Sequence, residues 1–552
     1  MVIVLLGFVI VLFCLGYPLV SRLKQSWDEC FVMSVGVGLA VLPLVLWVAR
    51  WLLPLKWWVV VLFAVCGLVL SLYFRRPEPK QRSTTYAHLV MLVVLFVIHF
   101  AVFLYGAFVY TYLEDSDPLY HAVGAWKVAR EGVTFWERYL EPYPPFYDIL
   151  VGLLVQLTGD VVDTLKVANA LIVSLGVLFA FYAAREFAGQ DSAVWSVLVL
   201  ALIPSYVSHF IFAASWATTL FWPALYLFGK VQKDHGVWWL LGVVASGVFL
   251  VQPIAGAVFA GVFVLYLMMH SPRAALAKAF VFSVLLALSY WGFVFAAYGV
   301  DKVFSHVGIG MLTGDDTSGG VVYGVWDFLF ASTDTRIDAP TGWGVMVSVL
   351  LGLSFVFRHP SWRWLWAWLA LGIVGLEGNV FPVHLAPHRL WTYVAMPVAL
   401  LSGHAAAVCA RRSRWIGLLI VVGLVLSAGV PKFVVNTNVW QRGPEWASYN
   451  EVFGYASLQK LGPGLRVMAP CAPEWKVVAN NQVWIDAPIS AWNASVVLAQ
   501  AKNLSVDVAI FDESCILHGL INQSVLEQVV SELTQDTVIV SRNPGFVALS
   551  IP

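Results

Sequence analysis

Long apolar runs broken by short polar stretches fill residues 2–431. A helix needs roughly 18–20 apolar residues to cross a bilayer core of about 30 Å. By that measure the runs predict spans at 2–20, 31–50, 57–74, 88–110, 163–184, 192–209, 211–229, 237–251, 253–270, 279–298, 342–357, 364–382, 389–410 and 415–431. The expectation is a polytopic α-helical membrane protein of about fourteen transmembrane helices. The first run has neither a basic start nor a small-residue cleavage site, so it reads as a membrane helix rather than a signal peptide. Residues 145–158 are too short for a comfortable crossing and carry Asp148. They predict a helix lying on the outer membrane face.

The pattern changes at residue 432. Short β-like runs ("LRVMAP", "DVAIFDE", "DTVIVS", "FVALSI") then alternate with helix-like ones ("NASVVLAQAKNL", "NQSVLEQVVSELTQ"). This predicts a small C-terminal α/β domain over 432–552. Residues 1–87 then form an N-terminal group of extra helices, and 88–431 the main transmembrane domain. No internal repeat or low-complexity segment interrupts this layout.

Charge orients it. Basic clusters at Arg22 and Lys24, Arg75 to Arg82, Arg185, Lys230 and Lys233, Arg273 and Lys278, Arg358 and Arg363, and Arg411 to Arg414 fall between alternate spans. The excess of Lys and Arg in cytoplasmic loops puts all of them inside. Both termini are then outside, as are two long loops, 111–162 and 299–341. Composition agrees: of 552 residues 60% are hydrophobic and 12% charged, with zero formal net charge. Nothing in that balance points to nucleic acid. Four of the six cysteines sit in or beside apolar runs, as small buried hydrophobes do. Cys471 and Cys515 fall in the tail and form a disulfide if it faces an oxidising compartment. Three N-x-S sequons, at Asn493, Asn503 and Asn522, are compatible with such a face.

The tightest acidic cluster, Glu114, Asp115 and Asp117 in "YTYLEDSDPLYH", stands where the fourth span ends outside. Its plain reading is a solvated boundary, or an Asp117-Pro118 start to the next helix. Acids at the carbonyl end of a helix are otherwise unfavourable. The chemical reading is a general base, or ligands to a divalent metal bridging a phosphate. His121 lies one helical turn beyond Asp117, on the same face. The stretch "HAVGAWKVAREG" is amphipathic, with Lys127 and Arg130 placed to face headgroups or a phosphate. Tyr143-Pro144-Pro145 then sets an extended entry to the next helix.

This order resembles the GT-C superfamily, whose members are integral-membrane glycosyltransferases using polyprenyl-phosphate-linked sugars. The resemblance rests on "EDSDPLYHAVGAWKVAREG…YPPFYDILVGLL", similar both to a "DE…(H/K)PP" layout and to the "DPYYH"-like start of oligosaccharyltransferases. It is clearest over 105–270 and again around 384–403. Three additional spans precede the acidic loop, where the common pattern has one span in all. The resemblance implies Asp117 as catalytic carboxylate and Asp115 or Glu114 as second acid. It also implies Mg2+ or Mn2+ as a candidate ion on Asp117, Asp115 and His121. In "HLAPHRLW", Arg389 with His388 and His384 would grip the lipid phosphate, since a guanidinium matches phosphate oxygens in pairs. Asp315 and Asp316, in a Gly-rich stretch of the second loop, together with His121 and Tyr143, are candidate acceptor-loop residues.

The expected activity is transfer of a sugar from a polyprenyl-phosphate donor to a protein, lipid or glycan acceptor, at the extracytoplasmic face of the cell membrane. Two rivals stand beside it. An oligosaccharyltransferase would carry a WWDYG-like motif in the tail, and "GPEWASYNEVFGY" has only Trp446, Tyr449 and Gly454 at other spacings. A transporter would show repeats and midplane ionisable groups. Here the polar residues collect on one face.

Overall fold

The apolar runs fold as helices. The computed structural model describes residues 1–23, 25–73, 84–110, 112–114, 116–132, 143–304, 328, 362–377, 390–438, 449–478, 480–489, 491–517 and 519–552. In order come α1 (Val2–Val20), α2 (Trp27–Leu52), α3 (Trp57–Tyr73), α4 (Tyr86–Val109), α5 (Ser116–Glu131) and α6 (Phe146–Thr158). Then follow α7 (Val161–Ala188), α8 (Gln190–Leu202), α9 (Ala213–Lys233), α10 (Trp238–Val251), α11 (Pro253–Met269) and α12 (Arg273–Tyr298). Helices Arg363–Leu376 and Trp391–Arg412 come next, and then a helical run over Arg414–Thr437 that includes a π turn at Val425–Gly429.

Among the described residues, seven helices are long and apolar enough to cross a membrane, and six further apolar helices are shorter. The chain is a multi-pass membrane protein. The expected span at 342–357 lies outside the described residues. The one at 192–209 stops earlier, at Leu202. Ile203 precedes Pro204, and a residue before proline is pushed out of the helical region.

The described residues divide into two compact units: Met1–Val109, Phe135–Tyr147 and Lys166–Gln441 in the first, and Tyr110–Thr134, Asp148–Leu165 and Arg442–Pro552 in the second. Within the first unit the extra N-terminal helices are built in rather than appended. Small residues let α1 and α2 touch backbone to backbone: a Cβ on Gly16 would collide with the Ser34 carbonyl, and one on Gly38 with that of Leu12. Close approach through small residues is the usual way helices pack in lipid. At its start α2 also carries Glu29, which is 1% exposed. Glu29 pairs with Arg185 of α7 and, at 2.8 Å, with Lys230 of α9; Lys230 also meets Glu186 at 2.6 Å. Breaking one partner of so buried a network leaves an uncompensated charge. The start of α2 and the ends of α7 and α9 thus meet in one buried network. Arg185 and Lys230, expected only as topology markers, therefore also hold the helices together.

The tail of the second unit folds as an α/β domain, with a five-stranded sheet in the order β2-β1-β3-β5-β4. The strands are β1 (Arg466–Met468), β2 (Val483–Ile485), β3 (Val508–Asp512), β4 (Val538–Asn543) and β5 (Phe546–Ser550). β1 runs parallel to β2 and β3, while β5 runs antiparallel to β3 and β4. Helices Ala494–Asn503 and Gln523–Asp536 bury Val497, Ala501, Val529 and Leu533 in one core with Met468 and Phe511. Four strands and both helices match the expected runs. The three-residue β2 was not foreseen. Cys471 and Cys515 are joined as a disulfide inside this core.

Candidate active site

Of the acidic cluster, Asp117 belongs to the helix that follows, not to the one before. α4 ends at Val109, and α5 begins at Ser116 with Asp117 in its first turn. There the free amides of the helix end favour negative charge, so the electrostatic objection to Asp117 disappears. Asp117 is exposed and Glu114 is buried. Asp115 lies outside the described residues.

One turn further along α5, His121 is buried, and its Nδ1 stands 2.5 Å from Oδ1 of Asp148. Asp148 is 1% exposed and occupies the first turn of α6. The Pro144-Pro145 step places it there: both prolines are buried, and the helix starts at Phe146 directly after them. The expected helix therefore forms. Its residues from Phe146 to Val155 are all buried, whereas a helix floating on a membrane face would expose one side.

Electrostatics tighten the pair. Burial disfavours the charged imidazolium, but the charge and hydrogen bond of Asp148 and the charge of Asp117 outweigh it, and His121 is raised above its usual value. Burial raises the Asp148 carboxyl as well, against the opposing pull of His121. Both directions mean that the pair holds its protons tightly. Oδ2 of Asp148 is buried with no hydrogen-bond partner among the described residues.

For a metal, the donor chemistry fits in part. Carboxylate oxygens suit Mg2+ or Mn2+. A histidine whose Nδ1 is held by a carboxylate presents Nε2 outward, as metal-bound histidines commonly do. Among the described residues, no three His, Cys, Asp or Glu side chains converge as a metal cage.

Sequence reasoning treated Asp148 only as an obstacle to a membrane crossing. The signal was available, because a lone carboxylate in an apolar stretch is a functional candidate by default. Lys127 also has a different partner from the expected headgroup or phosphate: its Nζ lies 3.2 Å from Oε1 of Glu474 in the tail.

The one remaining described candidate, Tyr143, belongs to the first unit. Tyr143 is half-buried, and its carbonyl accepts a hydrogen bond from Tyr290 Oη at 3.4 Å. His384, His388, Arg389, Asp315 and Asp316 lie outside the described residues. The nearest described neighbours of the His-Arg motif are Glu377, at the end of one helix, and Leu390, directly before the start of the next. Thr392, in the first turn of that next helix, donates to the Ser205 carbonyl at 3.1 Å. Ser205 lies in the unwound stretch 203–212 between α8 and α9. Unwound backbone within a membrane protein needs partners of its own, and here they are polar side chains. Lys432, 4% exposed, donates to the carbonyls of Pro204, Tyr206 and Val207. Asn436 accepts from the His209 amide at 2.9 Å, and Asn169 donates to the Phe210 carbonyl at 3.1 Å. Gln252 caps α11 by accepting from the Ala255 amide.

No protein-family model matches this chain, and no curated protein matches it in sequence. Solved structures match it in fold. ArnT from Cupriavidus metallidurans, bound to undecaprenyl phosphate, superposes with a TM-score of 0.55 at 13% identity, over 85% of this chain and 99% of that one. The archaeal oligosaccharyltransferase AglB from Archaeoglobus fulgidus, in complex with an inhibitory peptide and a dolichol-phosphate, gives 0.53 at 13% identity, over 78% and 70%. The Archaeoglobus fulgidus oligosaccharyltransferase tethered with an acceptor peptide gives 0.51 at 12% identity over the same shares. The chain has their fold, the GT-C fold whose motif layout its acidic loop resembles.

Proposed function

We propose that this chain is a membrane glycosyltransferase that moves a sugar from a polyprenyl-phosphate donor to an acceptor hydroxyl. The observation that carries the reading is the combination of a GT-C fold with an exposed Asp117, one turn from a buried His121–Asp148 pair. The donor class follows from the similar structures, which hold undecaprenyl phosphate or dolichol-phosphate.

Asp117 takes the proton of the acceptor hydroxyl as its oxygen attacks the anomeric carbon. The bond from that carbon to the phosphate oxygen breaks, the configuration inverts, and polyprenyl phosphate leaves. A positioned base of this kind contributes about 10²–10⁴-fold. Arg389, with His388 and His384, receives the negative charge that builds on the leaving phosphate, where fixed cations help most. Asp115 and Glu114 assist Asp117, and Tyr143, Asp315 and Asp316 contact the acceptor from the loops. A divalent ion on Asp117, Asp115 and His121 would screen the phosphate charge. His121, fixed by Asp148, keeps that end of α5 in one orientation. The positive-inside pattern puts this chemistry and the tail on the extracytoplasmic face, with about fourteen crossings in all.

The test is a transfer assay with purified protein, a polyprenyl-phosphate sugar and a panel of acceptors. Transfer with inversion that vanishes in Asp117→Asn supports the reading, and undiminished transfer in that variant defeats it. The fold likeness to AglB favours one second reading, transfer of a lipid-linked glycan to Asn. A product on a sequon peptide rather than on a hydroxyl acceptor would establish it.

A further inference from the structure

The C-terminal domain touches the acidic segment at three places, one ahead of the acids and two beyond them. Ahead of them, Tyr112 Oη donates to the backbone carbonyl of Lys476 at 3.4 Å. Beyond them, Lys127 pairs with Glu474 at 3.2 Å. Both partners come from one short helix, Glu474–Val478. The guanidinium of Arg130, stacked over Trp126, also lies against Gly464. A Cβ there would stand 2.8 Å from Arg130 Nη2, and the backbone at Gly464 is left-handed, with φ of +84°. Only glycine fills that place without strain.

The short helix is held rigidly from behind. Lys476 Nζ meets Glu451 Oε1 and Ser514 Oγ, each at 2.8 Å, and Asp512 Oδ2 at 3.5 Å. Tyr455 Oη donates to the same Asp512 oxygen at 2.8 Å. Asn480 Nδ2 donates to the Lys476 carbonyl at 2.9 Å. The Cys471–Cys515 bridge ties the chain just before this helix to the segment leaving β3. A five-residue helix has no stability of its own. These ties turn it into a fixed bracket.

We propose that Glu474 and Lys127 are positioning residues for the transfer reaction, and that the tail is a clamp that sets where Asp117 and His121 stand. The inference rests on the function proposed above for the acidic helix. The clamp acts through placement: a displacement of about 1 Å of a reacting group is enough to cost about 10²-fold in rate.

A charge swap tests it. Lys127→Glu and Glu474→Lys should each lower kcat about 10- to 100-fold with the donor KM little changed, and the double variant should recover most of that loss. Glu474→Gln keeps the side-chain shape and should give a smaller loss. Hydrogen exchange across residues 119–131 is measured in the same four proteins. It should rise in the single variants and return to the wild-type pattern in the double. Single variants with wild-type kcat and exchange would overturn the clamp. So would a double variant that melts like wild type yet is not rescued, the result expected if Lys127 gripped a phosphate directly. If the wild-type protein transfers no sugar, the function reading fails by itself. The exchange data then decide whether the clamp exists without it.

Discussion

His121 and Asp148 form a histidine–carboxylate pair joined at 2.5 Å and almost closed to water, with each residue supplied by a different helix. Asp148→Ala leaves a buried imidazole without its counter-charge. Loss of one partner of a buried pair costs about 3–5 kcal/mol. We expect that loss in thermal or denaturant unfolding in detergent, with Asp148→Asn milder because an amide oxygen still accepts from Nδ1. Wild-type stability in Asp148→Ala would show that the pair holds nothing in place.

The same pair fixes the sign of a pH effect. His121 and Asp148 are both raised, so the native state binds more protons than the unfolded one and stability falls as pH rises. The His121 contribution is complete below its ordinary value of 6.5 and is lost as pH climbs through the folded value. Melting temperatures taken with a chelator from about pH 6 to about pH 9 should fall, and His121→Gln should flatten the slope. An unchanged slope in that variant counts against the assignment.

Asp117 is exposed at a helix start, so its replacement is a test of chemistry rather than of folding. Asp117→Asn should express and melt like the wild-type protein, within about 0.5 kcal/mol, and lose transfer. Arg389→Ala should instead weaken donor binding, read as a higher dissociation constant for the polyprenyl-phosphate sugar. If that constant does not change, the phosphate grip lies elsewhere.

Lys432 satisfies three carbonyls of the unwound stretch after α8. Lys432→Met strands those carbonyls, each at a cost of about 1–3 kcal/mol. The expected result is poor folded yield and a much lower melting temperature, partly restored by Lys432→Arg. A stable Lys432→Met protein would mean that the stretch finds other partners.

The Cys471–Cys515 bridge closes a loop of 44 residues. Loop-closure entropy for that length is worth about 4 kcal/mol to the tail. Replacing both cysteines by alanine should lower the unfolding midpoint of the tail and raise hydrogen exchange in Glu474–Val478. Identical exchange with and without the bridge would remove it from the clamp.

How much of this was legible in the sequence follows the range of the interactions. Apolar runs report spans because each helix meets lipid along its own length, and short apolar runs bounded by polar residues, such as "DVAIFDE", report strands for the same local reason. The motif order also revealed the GT-C fold. Hidden from view was everything set by residues distant in sequence. Asp148 looked like an obstacle because its partner is 27 positions away. Lys127 looked like a headgroup contact because Glu474 comes hundreds of residues later. β2 is only three residues long, too short for any periodicity to register. The break at Pro204 was lost within a run that stays apolar, and Lys432 gave no hint that it stabilises that break.

Tyr112 and the Lys476 carbonyl that it reaches are 364 positions apart. During synthesis the acidic helix therefore emerges long before the segment that seats it. If the clamp operates as proposed, a half-made chain already holds its carboxylates but not the support that aims them. Competence arrives only once the tail has folded and its cysteines have been oxidised. The order of manufacture then acts as a safeguard, keeping an unfinished enzyme from working on lipid-linked sugar.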